Sequence, residues 1–229
     1  MAPSSISNLL EGPTVKVEVG SLKRCWHLHK SLLCHCSPFF EKAFQGNFKE
    51  ASEGFMELPD DDGAAFALFV QWLYQGSIEG TPDGTKADQW KYAQRYFELY
   101  VLADKLMIPA LKNMAIDHYR RTCRKSQQGP GPSHLTAIYT RTEQSSPFRR
   151  LACELTARVF MRPGTCRGAV IYRPVIEAEP DFAVDMLDYI REHMGRKVLP
   201  YPFSADDSLY HDQEDEERCM QPTNTTPDV

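Results

Sequence analysis

Apolar and charged side chains alternate at the start of this chain. Val15, Val17 and Val19 are separated by Lys16 and Glu18, the period of a strand with one buried face. Gly20-Ser21 marks a turn, and Arg24 to Leu28 is expected to return as the second strand of a hairpin. A helix carrying Leu32 and Leu33 opens at Lys30. Ser37-Pro38 then starts another, because serine caps free amides and proline suits the first helical position. Phe39, Phe40, Ala43 and Phe44 form the apolar stripe of that helix. A short third strand, Phe55 to Leu58, ends at Pro59. The acidic triplet Asp60 to Asp62 precedes a helix with Phe66, Phe69, Val70 and Leu73 on one side, favouring its positive pole, and Gly76 ends it.

The period of three to four residues then returns repeatedly. From Ser77 to Lys91 the composition turns to Gly, Pro, Thr and Asp, which predicts an exposed loop. Tyr92 to Met107 reads as an amphipathic helix, Ile108-Pro109 breaks it, and a second helix runs from Ala110 to about Cys123. QQGPGPSH, residues 127–134, reads as flexible linker. Pro147 to Met161 and Asp181 to His193 are two further helices, too few to bury a core unaided. The polar stretch from Ser204 onward is expected to be disordered.

Composition narrows the class. The 229 residues are 42% hydrophobic, enough for a packed core. The formal charge of −5 is concentrated at the end, where residues 204–229 hold eight acidic side chains and one arginine, leaving a body of about +2. No basic field points to nucleic acid. MAPSSISNLLEGP lacks the charged and apolar regions of a secretory signal, and the longest apolar run, Ala64 to Tyr74, is too short for a membrane span of about 20 residues. Seven scattered cysteines do not form a disulfide framework. The expectation is a soluble intracellular protein, cytoplasmic or nuclear, with reduced thiols and no membrane or nucleic-acid partner.

Candidate chemistry is sparse. Cys25, His27, His29, Cys34 and Cys36, with His35, hold thiolate and imidazole donors of the kind zinc takes, and strand alternation puts Cys25, His27 and His29 on one face. Cys34 and Cys36, however, point about 200° apart on a helix and cannot easily chelate one ion. The bland reading makes His29 a hydrogen-bonded strand-end residue and the cysteines small fillers. No G-x-S-x-G, H-E-x-x-H or P-loop pattern is present, so neither an enzyme nor a cofactor is expected. RRTCRK, residues 120–125, is read as complementing the negative end of its helix, with nuclear import as the sharper alternative. Trp90, after a polar loop, is a candidate interface anchor, with Tyr92 and Tyr96 beside it.

Five segments in order resemble the BTB/POZ domain, particularly as found in filamentous fungi. They are VKVEVG to CWHLHK, HKSLLCHCSPFF, NFKEASEGFMELPDDD, FVQWLYQGSI and YVLADKLMIPALKNMAIDHY. IYTRTEQSSPFRRLACELTARVF resembles the helical extension of fungal BTB proteins. The resemblance implies an α+β fold, a small mixed three-stranded sheet flanked by helical hairpins and followed by a C-terminal helical extension. The expected layout is a short flexible N-terminus at 1–13, the BTB domain at 14–123, a linker at 124–146, the extension at 147–203 and an acidic tail at 204–229.

It also implies a protein-interaction module. One case is a substrate adaptor for a cullin-based ubiquitin ligase. The alternatives are a homo- or hetero-oligomeric scaffold, including pairing with another BTB chain, or a transcription-associated cofactor, and, remotely, a zinc-dependent enzyme. Members that recruit cullins often present a hydrophobic-x-Glu signature in the segment corresponding to 77–91, which Ile78-Glu79 meets incompletely. The short polar segment before Thr14 lacks the strand and helix of strand-swapped dimers. Phe48, Ile78, Glu79, Trp90, Tyr92 and Tyr96 are the candidate partner-binding residues.

Overall fold

The computed structural model of the protein describes residues 6–162, 168–195, 199, 202 and 207–212. They fall into two compact units, residues 6–80 with 98–115, and residues 81–97 with 116–212. The first unit opens with a short helix, α1 (Ile6–Leu10), in the stretch expected to be flexible. Its apolar Ile6 and Leu9 lie half-buried, and the helix packs against α2 (Lys30–Cys36), which accounts for order there.

The three predicted strands are present as β1 (Thr14–Val19), β2 (Arg24–His29) and β3 (Phe55–Leu58), in the order β2-β1-β3. β1 runs antiparallel to β2, with Thr14 opposite His29 and Val19 opposite Arg24. It runs parallel to β3, with Lys16 opposite Phe55 and Val19 opposite Leu58. A parallel pair needs a crossover, and α2, α3 (Pro38–Gln45) and α4 (Lys49–Glu53) supply it. The hairpin turns through Gly20 at φ +73° and Lys23 at φ +50°. A Cβ at Gly20 would also sit 3.1 Å from the Asp61 carbonyl oxygen, so the turn requires glycine twice over.

Alternation does what it predicts. Val15, Val17, Val19, Leu28, Met56 and Leu58 are buried on one face. The other face is solvated, with Glu18 between Lys23 (3.2 Å) and Lys16 (3.6 Å). Ser37 caps α3 by accepting from the Phe40 amide (3.3 Å), and its hydroxyl donates to the Leu106 carbonyl (2.7 Å) while fully buried. Ser37→Ala removes the cap and strands a buried carbonyl. It is expected to lower unfolding free energy by about 1–2 kcal/mol, read as a shifted denaturant midpoint at unchanged slope.

Helix α5 (Gly63–Gln75) starts where the acidic triplet predicts, with the Asp62 carboxylate accepting from the Ala64 and Ala65 amides, and ends at Gly76 in the left-handed region. Its aromatics form a chain through the core: Trp26 to Phe66 (4.8 Å), Phe66 to Phe69 (5.2 Å), Phe69 to Phe40 (6.1 Å) and Phe40 to Phe44 (6.0 Å).

The expected loop over 77–91 is shorter than predicted, because α6 (Lys86–Lys105) begins six residues before Tyr92. Thr85 and Asp88 form a capping box: the Asp88 amide donates to the Thr85 hydroxyl oxygen and the Thr85 amide to the Asp88 carboxylate, each at 3.2 Å. The Thr85 hydroxyl, donating to the Asp88 carboxylate at 2.7 Å, and then the Thr85 amide hold that carboxyl below its usual range. Helix α7 (Pro109–Ser126) follows a break at Met107, whose φ is +59°. Both α6 and α7 contribute residues to both units.

The second unit has more helices than the two expected. Within 124–146, taken as linker, Pro132 occupies the first turn of α8 (Pro132–Arg141) and the Gly-Pro run is its start signal. Helix α9 (Pro147–Phe160) is followed by a 3-10 turn (Ala169–Tyr172), α10 (Arg173–Ala178), α11 (Asp181–Glu192) and a 3-10 turn at Asp207–Tyr210. α9 packs on α11, and α8 on α9 and α10, around Leu135, Ile138, Phe148, Leu151, Val175 and Phe182. The extra helices resolve the problem of a core too thin to fold.

The terminal segment departs from expectation at one point. Tyr210 is fully buried, its hydroxyl donates to Glu154 and its ring lies 4.5 Å from the Arg120 guanidinium. The rest of the acidic tail, 204–206 and 213–229, lies outside the described residues. Among the described residues, no helix is long and apolar enough to cross a membrane.

Candidate interaction surfaces

Of the six residues proposed to meet partners, Phe48 and Glu79 are exposed, Tyr92 and Trp90 are half-buried, and Ile78 and Tyr96 are buried. The local sequence explains each placement. Phe48 sits at the N-cap of α4, where a serine or aspartate would ordinarily accept an amide, and its ring is 62% exposed. Gly46 makes room for it. A Cβ there would lie 2.5 Å from the Lys42 carbonyl oxygen and 3.0 Å from the ring. The sequence thus gives up a capping side chain and places an aromatic in water, which no interaction within the unit requires.

Ile78 is only 6% exposed and belongs to the core, so the Ile78-Glu79 pair does not present a hydrophobic side chain outward. Tyr96 is buried as well. Its hydroxyl meets Thr81 at 3.2 Å, Thr81 meets Thr122 at 2.8 Å, and burial raises the phenol's pKa. Trp90 does not lie in a loop but on α6, half-buried, with its ring 5.4 Å from His134 and 6.5 Å from Tyr119. Tyr92 stacks under Arg95 at 4.9 Å. The Thr85-x-x-Asp88 spacing was the signal that would have moved Trp90 from loop to helix.

The suspected zinc ligands are separated by their partners. Cys25 is exposed and its thiol lies 3.7 Å from Glu18, while His29 Nδ1 meets the Tyr74 hydroxyl at 2.9 Å. Cys34 is buried against the Phe40 carbonyl, which pushes its thiol pKa up and away from a metal-binding thiolate. Among the described residues, no group of three or more Cys, His, Asp and Glu could hold a metal ion. Arg120, Thr122 and Cys123 of RRTCRK are buried, and Arg124 and Lys125 lie in the last turn of α7, where they complement its negative end.

Sequence reasoning missed a cleft of about 630 Å³ in the second unit, lined in part by α9 and α11. At its wall Arg149 is buried, with its guanidinium donating to the carbonyls of Tyr139 and Thr142. Glu154 accepts from Arg150 (3.0 Å) and Tyr210, and Asp185 accepts from the Tyr139 hydroxyl (2.7 Å). These bonds hold the walls together. None forms a nucleophile with a base.

A mixed three-stranded sheet with a helical crossover and a helical hairpin at 86–126 defines a class of interaction domain, and residues 8–121 match the family model of the BTB/POZ domain. Residues 8–121 are a BTB/POZ domain, a protein–protein interaction module of a family that is in general not enzymatic. A comparison with curated proteins finds none that matches.

Proposed function

We propose that the protein is an intracellular adaptor, cytoplasmic or nuclear, whose BTB/POZ domain docks a cullin-type scaffold while its C-terminal helices, of the fungal kind, extend the binding surface. The observation that carries this reading is Phe48, a 62% exposed aromatic at the start of a five-residue helix, with Gly46 leaving room for its ring. Phenylalanine, like tyrosine and tryptophan, is enriched at interface cores relative to the rest of a protein's surface. The test is retention of a purified cullin by the full chain. Phe48→Asp is expected to weaken retention at least tenfold without changing the melting temperature, since the side chain is already solvated. A panel of cullins none of which is retained by the unaltered chain would remove the ligase reading.

A second reading, an oligomeric scaffold or transcription-associated cofactor, is favoured by the edge of β2, which among the described residues pairs with β1 alone. Light scattering separates the two. A strict monomer at high concentration leaves no room for self-assembly.

A further inference from the structure

The two sides of α11 differ in a way the fold of this unit does not need. Phe182 and Met186 point into the core. Val184 and Leu187, one turn apart, are 57% and 68% exposed, and Met194 just past the helix end is 76% exposed. The next strip around the helix is acidic: Asp185, Asp188 and Glu192 line the cleft, and Glu154 faces it from α9. Across residues 173–192 six carboxylates stand against two arginines. Exposed Arg191, on the same helix, lies 3.3 Å from Asp188, while of the arginines lining the cleft Arg149 is committed to two carbonyls and lies 3.7 Å from Asp181, and Arg150 is paired with Glu154.

We propose that this surface docks a basic amphipathic helical segment of a partner protein, its apolar stripe on Val184, Leu187 and Met194 and its Lys or Arg side chains turned to Asp188, Glu192 and the cleft. Charge complementarity selects this occupant. A second copy would bring the same carboxylates face to face, and the run Asp212 to Glu217 of this chain carries the same sign as the cleft. The apolar ridge supplies burial and the acidic strip fixes orientation, as in helix-in-groove recognition. This surface belongs to the second unit and stands whether or not Phe48 binds a cullin.

The test uses the full chain and a labelled 16-residue helical peptide of leucine and lysine, followed by fluorescence anisotropy at low and moderate salt, with a leucine–glutamate peptide as control. Saturable binding of the lysine peptide alone is expected. Leu187→Asp and the pair Asp188→Lys with Glu192→Lys should each weaken it at least tenfold, with unchanged circular dichroism because these side chains are exposed. Ending the chain after Asp212 should leave it unaltered. Binding that survives Leu187→Asp, or disappears with the residues after Asp212, would reduce it to general attraction to acid and overturn the proposal. So would a dimer that Leu187→Asp converts to monomer, which would make a second copy the occupant.

Discussion

Phe69→Ala is expected to destabilise the first unit by about 3–5 kcal/mol, the cost of a large cavity in a packed aromatic core. The side chain is fully buried, and its ring touches a chain of others, Phe66 at 5.2 Å, Phe40 at 6.1 Å and Trp72 at 6.4 Å. Those rings come from α3 and α5, so they cannot all move in to fill the space without shifting the crossover helices that hold β3 parallel to β1. Against a typical total of about 5–15 kcal/mol, such a loss leaves a marginal fold. Phe69→Leu keeps most of the volume and should cost about 1–2 kcal/mol. Urea unfolding followed by tryptophan fluorescence measures both. A loss below about 1 kcal/mol for the alanine variant would mean that this aromatic chain does not hold the unit together.

Acid should loosen the second unit between about pH 6.5 and 4. Burial among the rings of Trp90, Phe97 and Tyr119 pulls the His134 imidazole down to about 4, and the Arg141 guanidinium adds to the effect. His118, against Tyr96, is pulled to about 4 by burial and by Arg121. An unfolded chain binds these protons near pH 6.5 and the folded one resists them, so the stabilisation is complete above that value and falls away as pH drops towards 4. For His134 the loss reaches up to about 3 kcal/mol; for the more exposed His118 solvent screening leaves less. His134→Phe should flatten the dependence and raise stability at pH 5, because it also removes a buried Nε2 without a hydrogen-bond partner. Denaturant midpoints at pH 7, 5.5 and 4.5 test this. Equal slopes of stability against pH in the variant and the unaltered chain would refute it.

The BTB/POZ half was legible because its information is local. Alternating valines set β1, Ser37-Pro38 set a helix start, and Asp62 and Gly76 bracketed α5. The misplaced elements were those whose signals were read by composition instead of by position. Thr85 and Asp88 cap a helix inside a Gly- and Pro-rich stretch, and Pro132 begins one where a linker was expected. α1 and α10 are five and six residues long, below the length at which a helical period can be recognised. Partner-binding residues were harder still, because an aromatic beside a loop reads alike whether it faces water, as Phe48 does, or its own core, as Tyr96 does. Only packing distinguishes them.

The terminal acidic stretch, for its part, is not all ballast. Tyr210 gives the Glu154 carboxylate a donor and covers the face of the Arg120 guanidinium, tying this segment to α9, which begins at Pro147, and to α7, which begins at Pro109. A shortened version stopping at residue 203 would uncover a carboxylate and a guanidinium that the intact molecule keeps shielded, so a fragment trimmed for convenience carries a different electrostatic surface beside the cleft from the one the whole chain presents.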